Sequence, residues 1–193
     1  MIHGRLADLS MVNKTVIVVF TALIYFGSFR LNQILFSDFL FTHRVHWIYL
    51  PGGLRLLLVL LFFELGVVGI FLGALMMNYG YFYDGDHVFA LGVCVLVALS
   101  AWLTRYLSLK WFDLDVNLMG LSLGVIFKMA VLLSFLSSIM LQSWFYLNGK
   151  TENFFEAVSV MALGKFTGTL IVLSLFSVAL KFLRALNLRK GRL

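Results

Sequence analysis

Three charged side chains interrupt runs that are otherwise apolar: Glu64, Lys128 and Lys165. A charge near the centre of a bilayer costs several kcal/mol unless it is paired or hydrated, so each is expected to face a bundle interior. One carboxylate and two ammonium groups can form a buried pair or triad, the makings of a binding or ion-translocation centre. The plainer alternative has Glu64 closing a short helix near the interface and the lysines snorkelling to the headgroups. Arg55 follows Leu50-Pro51-Gly52-Gly53-Leu54 at a helix start, with Trp47 just ahead of it. Backbone amides and a guanidinium in that arrangement suit an anionic ligand, or else anchor the chain among headgroups.

Other chemistry finds little footing. His43 and His46 are three apart, a spacing that suits shared metal ligation on a helix, but no Cys, Asp or Glu joins them at ligand spacing. They read as interfacial histidines, and no metal site is expected. No Gly-x-Ser-x-Gly, no Walker-type loop and no zinc-protease signature occurs. The expectation is therefore a non-enzymatic protein without a cofactor.

The elements that must position these residues follow from composition. Of 193 residues, 62% are hydrophobic and 12% charged, far on the apolar side of soluble domains. A small soluble fold exposes too much surface to tolerate this, whereas lipid accepts it. The expected fold is all-α: a polytopic transmembrane helical bundle of five to six spans. It forms a single integral-membrane domain over 1–193, with a short lead (1–13) and a basic tail (184–193). Cys94 lies within an apolar run and has no second cysteine to pair with.

Apolar runs cover about Lys14 to Phe36, Leu54 to Tyr79, Val88 to Leu107, Val116 to Tyr146 and Phe154 to Leu183. The first is followed by Arg30, Asn32 and Gln33 rather than a small-residue cleavage site, so it reads as a retained span. Residues 37–53 are a loop or a broken helix start, with Trp47 and Tyr49 at headgroup level. Leu54 to Tyr79 is ambiguous, because Glu64, Gly66, Gly69 and Gly73 divide it into Leu54–Phe63 and Leu65–Met77. One crossing puts the N-terminus outside. Two crossings, as six spans or as five plus a broken half-helix pair, put both termini inside, agree with Arg5 and Lys14, and are preferred.

The net charge of +6 gathers at loops and ends, notably Lys181, Arg184, Arg189, Lys190 and Arg192. That pattern fits a cytoplasmic tail beside anionic lipid rather than nucleic acid. The inner membrane is the expected location, with the C-terminus cytoplasmic and the Asp84/Asp86 turn outside. Gly69/Gly73, Gly120/Gly124 and Gly164/Gly168 are small-residue pairs at helical spacing, fit for close helix packing or for self-association. Expected partners are the bilayer and other membrane proteins or a second copy.

The run Trp47-Ile-Tyr-Leu-Pro51-Gly-Gly53-Leu, followed by Gly73-Ala-Leu-Met-Met-Asn78, resembles the opening of the MASE1 integral-membrane sensory domain. Leu163-Gly164-Lys-Phe-Thr-Gly168-Thr-Leu is similar to that domain's last glycine-containing span. The resemblance implies a sensor-type bundle that signals through a partner, and it adds Asn78 to the ligand-binding candidates Trp47, Arg55, Glu64, Lys128 and Lys165. In size, apolarity and topology the chain is also similar to substrate-binding subunits of energy-coupling-factor transporters. A solute transporter, or its substrate-capturing subunit, is thus the second expectation. A structural subunit of a membrane complex is the third.

Overall fold

The computed structural model describes residues 9–42, 45–82, 85–112 and 122–190. Helix α1 is Met11–Phe36; a 3-10 turn, Ser37–Phe39, leads into a small antiparallel hairpin of β1 (Leu40–Thr42) and β2 (Val45–His46). Then come α2 (Leu50–Met77), a π-helical turn (Asn78–Phe82), α3 (His87–Trp111), α4 (Leu123–Leu147) and α5 (Phe154–Lys190). Five helical segments are long and apolar enough to cross a membrane. The protein is an all-α helical membrane bundle.

Local chemistry sets the ends. Ser10, Asp86 and Ser122 cap α1, α3 and α4, each accepting a hydrogen bond from the backbone N–H three residues on. Pro51 sits in the first turn of α2, where its missing N–H costs nothing, and the Leu50 N–H donates to the Asn32 side chain at 2.8 Å. The Pro-Gly-Gly run is therefore the opening turn of a helix rather than a loop. Gly149, at φ 66, lets the chain turn back on the end of α4, with Lys150 N–H donating to the Phe145 carbonyl at 2.8 Å.

The ambiguous segment doubles back on itself. Phe63 has φ 52 and ψ −128, which no helix contains. A Cβ at Gly66 would stand 2.5 Å from the Leu58 carbonyl oxygen, although residues 58 and 66 of a straight helix lie about 12 Å apart. Contacts with α1 trace the reversal. Leu50 meets Asn32 and Phe62 meets Phe20, so the first leg runs antiparallel to α1. Gly69 then packs on Thr21, Gly73 on Ala22 and Tyr25, and Tyr81 on Phe26 and Phe29, so the second leg runs parallel to α1. The first leg, at 1.5 Å per residue, is only about 19 Å long, short of the roughly 30 Å hydrocarbon core. The geometry is that of a helical hairpin, so this segment passes twice, as preferred, with α1, α3, α4 and α5 as the four full-length spans beside it.

Phenylalanine at positive φ is a strained choice, costing about 1–3 kcal/mol. It is held by its surroundings: the Phe63 ring is buried, and the Arg105 guanidinium lies 4.4 Å from its centroid. The hairpin's ends, strands β1 and β2 and the α4–α5 turn share one end of the bundle. The Phe63 tip, the start of α1 and the far end of α3 share the other. Pairings of α3 with α4 (Phe89 with Phe145) and of α4 with α5 (Ser137 with Lys165) complete this antiparallel order. The apolar core centres on the second leg, through Ile70 and Ala74, with Tyr25, Val97 and Leu141 around it.

Candidate functional site

A polar cluster sits in the middle of the bundle, each member carried by a different helix. The first leg of α2 delivers Arg55, 1% exposed, and α5 delivers Lys165, 3% exposed. Both converge on Ser137 of α4: Lys165 Nζ donates to its Oγ at 2.6 Å and Arg55 Nη2 at 3.2 Å. Arg55 Nη1 reaches Ser100 Oγ of α3 at 3.4 Å and the Val97 carbonyl at 3.5 Å. Arg55 Nε has no hydrogen-bond partner among the described residues. The ion pair found among those residues, Arg105 with Glu64 at 3.5 Å, lies elsewhere. Two basic side chains thus share one hydroxyl, with no described carboxylate within ion-pair distance.

The close approach of α2 to α5 is what brings the two together. Gly52 lies against the backbone of Lys165, and Gly53 against that of Thr169 and Gly168, at distances no Cβ would permit without a shift. Gly164 and Gly168 in turn receive the main chain of His46, Trp47 and Tyr49, and Tyr49 N–H donates to the Gly164 carbonyl at 2.9 Å. This glycine pair packs against an irregular segment, not against another helix. Gly69 and Gly73 do pack helix on helix. Gly124 meets nothing closer than Ser122 Oγ at 3.9 Å among the described residues, and Gly120 lies outside them.

Beside the cations is a cavity of about 50 Å³, bounded by Lys165, His46, Tyr49 and Asn78 and by apolar side chains from α1, α3, α4 and α5. Arg55, Asn78 and Lys165 thus gather around one interior region. Trp47 contributes its carbonyl, which accepts from Thr167 Oγ1 at 3.2 Å, while its ring is largely exposed. Glu64 and Lys128 do not join. Glu64 is 60% exposed at the hairpin tip and pairs with Arg105. Lys128 is also exposed, its Nζ 5.6 Å from the Phe112 ring centroid. The reason is where the elements begin and turn: α4 starts at Leu123, so Lys128 is one turn from its end, and the reversal at Phe63 puts Glu64 at the surface. The expected triad is replaced by a pair, Lys165 with Arg55.

Sequence reasoning passed over the hydroxyls. Ser134, Ser137, Ser138 and Gln142 recur at helical spacing on α4, as do Ser100, Thr104 and Ser108 on α3, and all are buried. Such stripes within apolar helices were a signal for inward faces. Tyr49 shares a side-chain hydrogen bond with Tyr25, and burial pushes its phenol well above the ordinary range. It stays neutral and supplies no counter-charge.

His46 is buried, its ring 6.0 Å from that of Tyr49, and its Nδ1 lacks a hydrogen-bond partner among the described residues. Desolvation lowers its pKa below the ordinary 6.5. The unfolded chain therefore takes up this proton first as pH falls, and stability drops between the unfolded and folded values. Thermal unfolding from about pH 7 to about pH 5 should show wild type losing stability and His46→Gln losing less; equal losses would remove His46 from the account. His43, the other half of the histidine pair, lies outside the described residues, and no cluster of metal-binding side chains occurs among them. No protein-family model matches the chain, and neither the curated proteins nor the solved structures contain a match to it.

Proposed function

We propose that the protein is a non-enzymatic bundle of the cell inner membrane that captures a small ligand in the cavity beside Lys165 and passes on its occupancy through protein contacts, in the manner of a MASE1-like sensory domain. One observation carries this reading. The three separate patches that resemble that domain, Trp47–Leu54, Gly73–Asn78 and Leu163–Leu170, come together around a single cavity, through Tyr49, Asn78 and Lys165. Residues more than a hundred positions apart thus place their polar groups on the border of one largely apolar cavity.

The broken helix pair favours a second reading, a solute transporter or its substrate-capturing subunit, because discontinuous helices build the sites of many carriers. Reconstituted vesicles separate the two. A sensor binds its ligand without moving it, and binding is lost in Lys165→Met. Ligand-dependent solute flux across the vesicle wall would overturn the sensory reading in favour of the carrier.

Sidedness belongs to the same proposal. The end of the bundle with the hairpin tip exposes Lys110 and Lys128, and the C-terminal basic run heads the same way; the opposite end exposes Asp38, Glu152 and Glu156. The positive-inside rule makes the first end cytoplasmic, with both the start of α1 and the end of α5 on it. Single cysteines in a Cys94→Ala background provide the check. Ser10→Cys and Lys110→Cys should react with an impermeant thiol reagent from the cytoplasmic face, and Glu152→Cys from the other. Labelling of Ser10→Cys and Glu152→Cys from one face would mean that α2 crosses once, without the reversal.

A further inference from the structure

We infer that the cavity beside Lys165 binds a short-chain monocarboxylate, its negative group held by Lys165 with Arg55 behind it and its alkyl end against the apolar wall. This rests on the reading of the cavity as a ligand-capture site and names the class of ligand.

Charge is the first argument. Two basic side chains, each at most 3% exposed, meet at Ser137 in the interior of a membrane bundle with no described carboxylate within ion-pair distance of either, so both carry charge at low cost only when an anion joins them. Like charges brought together in a medium of low dielectric repel strongly, and burying them without an anion is costly. Tyr49 is neutral, so none of the described residues bordering the cavity offsets them. An anion from outside does.

Unused hydrogen-bond capacity is the second. Lys165 has three donors and gives one to Ser137. Arg55 Nε and His46 Nδ1 are buried without partners among the described residues. Buried polar groups in native folds are nearly always satisfied, and Lys165 and His46 both border the cavity.

Size and lining decide the class. About 50 Å³ holds roughly three to five water-sized groups, the scale of acetate or propionate. Val97, Leu141, Phe145 and Met161 are among the apolar side chains that form much of the wall. A fully polar oxyanion such as phosphate would leave its remaining oxygens against these side chains, unsatisfied. A carboxylate with a short alkyl end presents one polar and one apolar face, as the cavity does.

The test uses the purified full chain in lipid nanodiscs at fixed ionic strength, titrated with sodium acetate and propionate, and in parallel with chloride, nitrate and phosphate. The expected result is a saturable rise in Tm with the carboxylates alone, weakened tenfold or more in apparent Kd by Lys165→Met. That variant should itself be at least as stable as wild type without ligand, since it removes one of two adjacent buried charges. Saturation-transfer signals from 13C-acetate on the wild type, competed by propionate and not by nitrate, would support the proposal without any variant. No carboxylate response, or an undiminished one in Lys165→Met, overturns it. A response to phosphate or nitrate alone overturns the carboxylate class while leaving ligand capture standing. Lys165→Met indifference to every anion, with no signal from wild type, removes both.

Discussion

Gly168→Val should prevent stable folding, with a loss of about 3 kcal/mol or more and little monodisperse protein in mild detergent. The Gly168 Cα lies against the Tyr49 carbonyl group and the Leu50 nitrogen, so a side chain there meets backbone rather than the movable end of a neighbour. Ordinary overpacking costs about 1–3 kcal/mol because side chains can rearrange. Here the whole segment from Trp47 to Gly53 would have to lift from α5. It would take with it the hydrogen bonds from Tyr49 N–H to Gly164 and from Thr167 to Trp47, and the approach of Gly52 and Gly53 to Lys165 and Thr169. Gly124→Val, whose Cβ would meet no described atom closer than Ser122 Oγ at 3.9 Å, is the control and should be tolerated. Thermal unfolding of both variants makes the comparison; a well-folded Gly168→Val would show that the segment is not seated on α5.

Ser137→Ala should cost about 2–4 kcal/mol, an unusual loss for removing one oxygen. That oxygen accepts from Lys165 at 2.6 Å and from Arg55 at 3.2 Å. Hydrogen bonds to charged groups contribute about 1.5–3 kcal/mol each, and here the partners are cations that would be left facing one another in an apolar interior. Uncharged hydrogen bonds between membrane helices average only about 0.6 kcal/mol, so the charges account for most of the difference. Ser134→Ala, one turn earlier, removes a buried hydroxyl without a partner among the described residues and should stay within about 0.5 kcal/mol of wild type. The double variant Ser137→Ala/Lys165→Met should recover much of the loss, because one of the stranded charges is gone. Equal effects of Ser134→Ala and Ser137→Ala would mean that the cations are held by something other than this hydroxyl.

The membrane character of the bundle and the approximate course of its apolar helices were legible in the sequence, but their ends were not: α2 begins at Leu50 rather than Leu54, and α4 at Leu123 rather than Val116. Apolar runs, the Ser10, Asp86 and Ser122 caps and the Asn148-Gly149 stop are local features, decided by chemistry within a few neighbours. Arg55 read as an anion-binding or headgroup residue at a helix start, and its burial is a product of the fold, whereas Lys165 was visible as a charge that needed interior company. Glu64 and Lys128 carried the same signal, yet both lie at the surface. Nothing local distinguishes a cation that snorkels from one that is buried; that depends on how far each lies from the helix end and on what packs across from it. Lys128 moved outward because α4 begins later than its apolar run does.

The glycines make the same division. Spacing alone marks Gly164/Gly168 and Gly69/Gly73 as equivalent pairs, and both are indeed sites of close approach. Only tertiary packing shows that one receives a helix and the other an irregular chain segment. The reversal at Phe63 is the clearest case. Glu64-Leu65-Gly66 marked a break, but sequence could not say whether the chain bends or returns, since both satisfy the backbone and both bury apolar surface. The return is decided by contacts between residues far apart in the chain, with Thr21, Tyr25 and Arg105 holding a conformation that Phe63 would not adopt alone. Sequence by itself determined the solvent, the helices and the identity of the charges, because each depends on side-chain chemistry over one or two turns. The tertiary structure alone decided which charges meet, because the meeting of Arg55 and Lys165 at Ser137 joins three helices that nothing short of the packed bundle aligns.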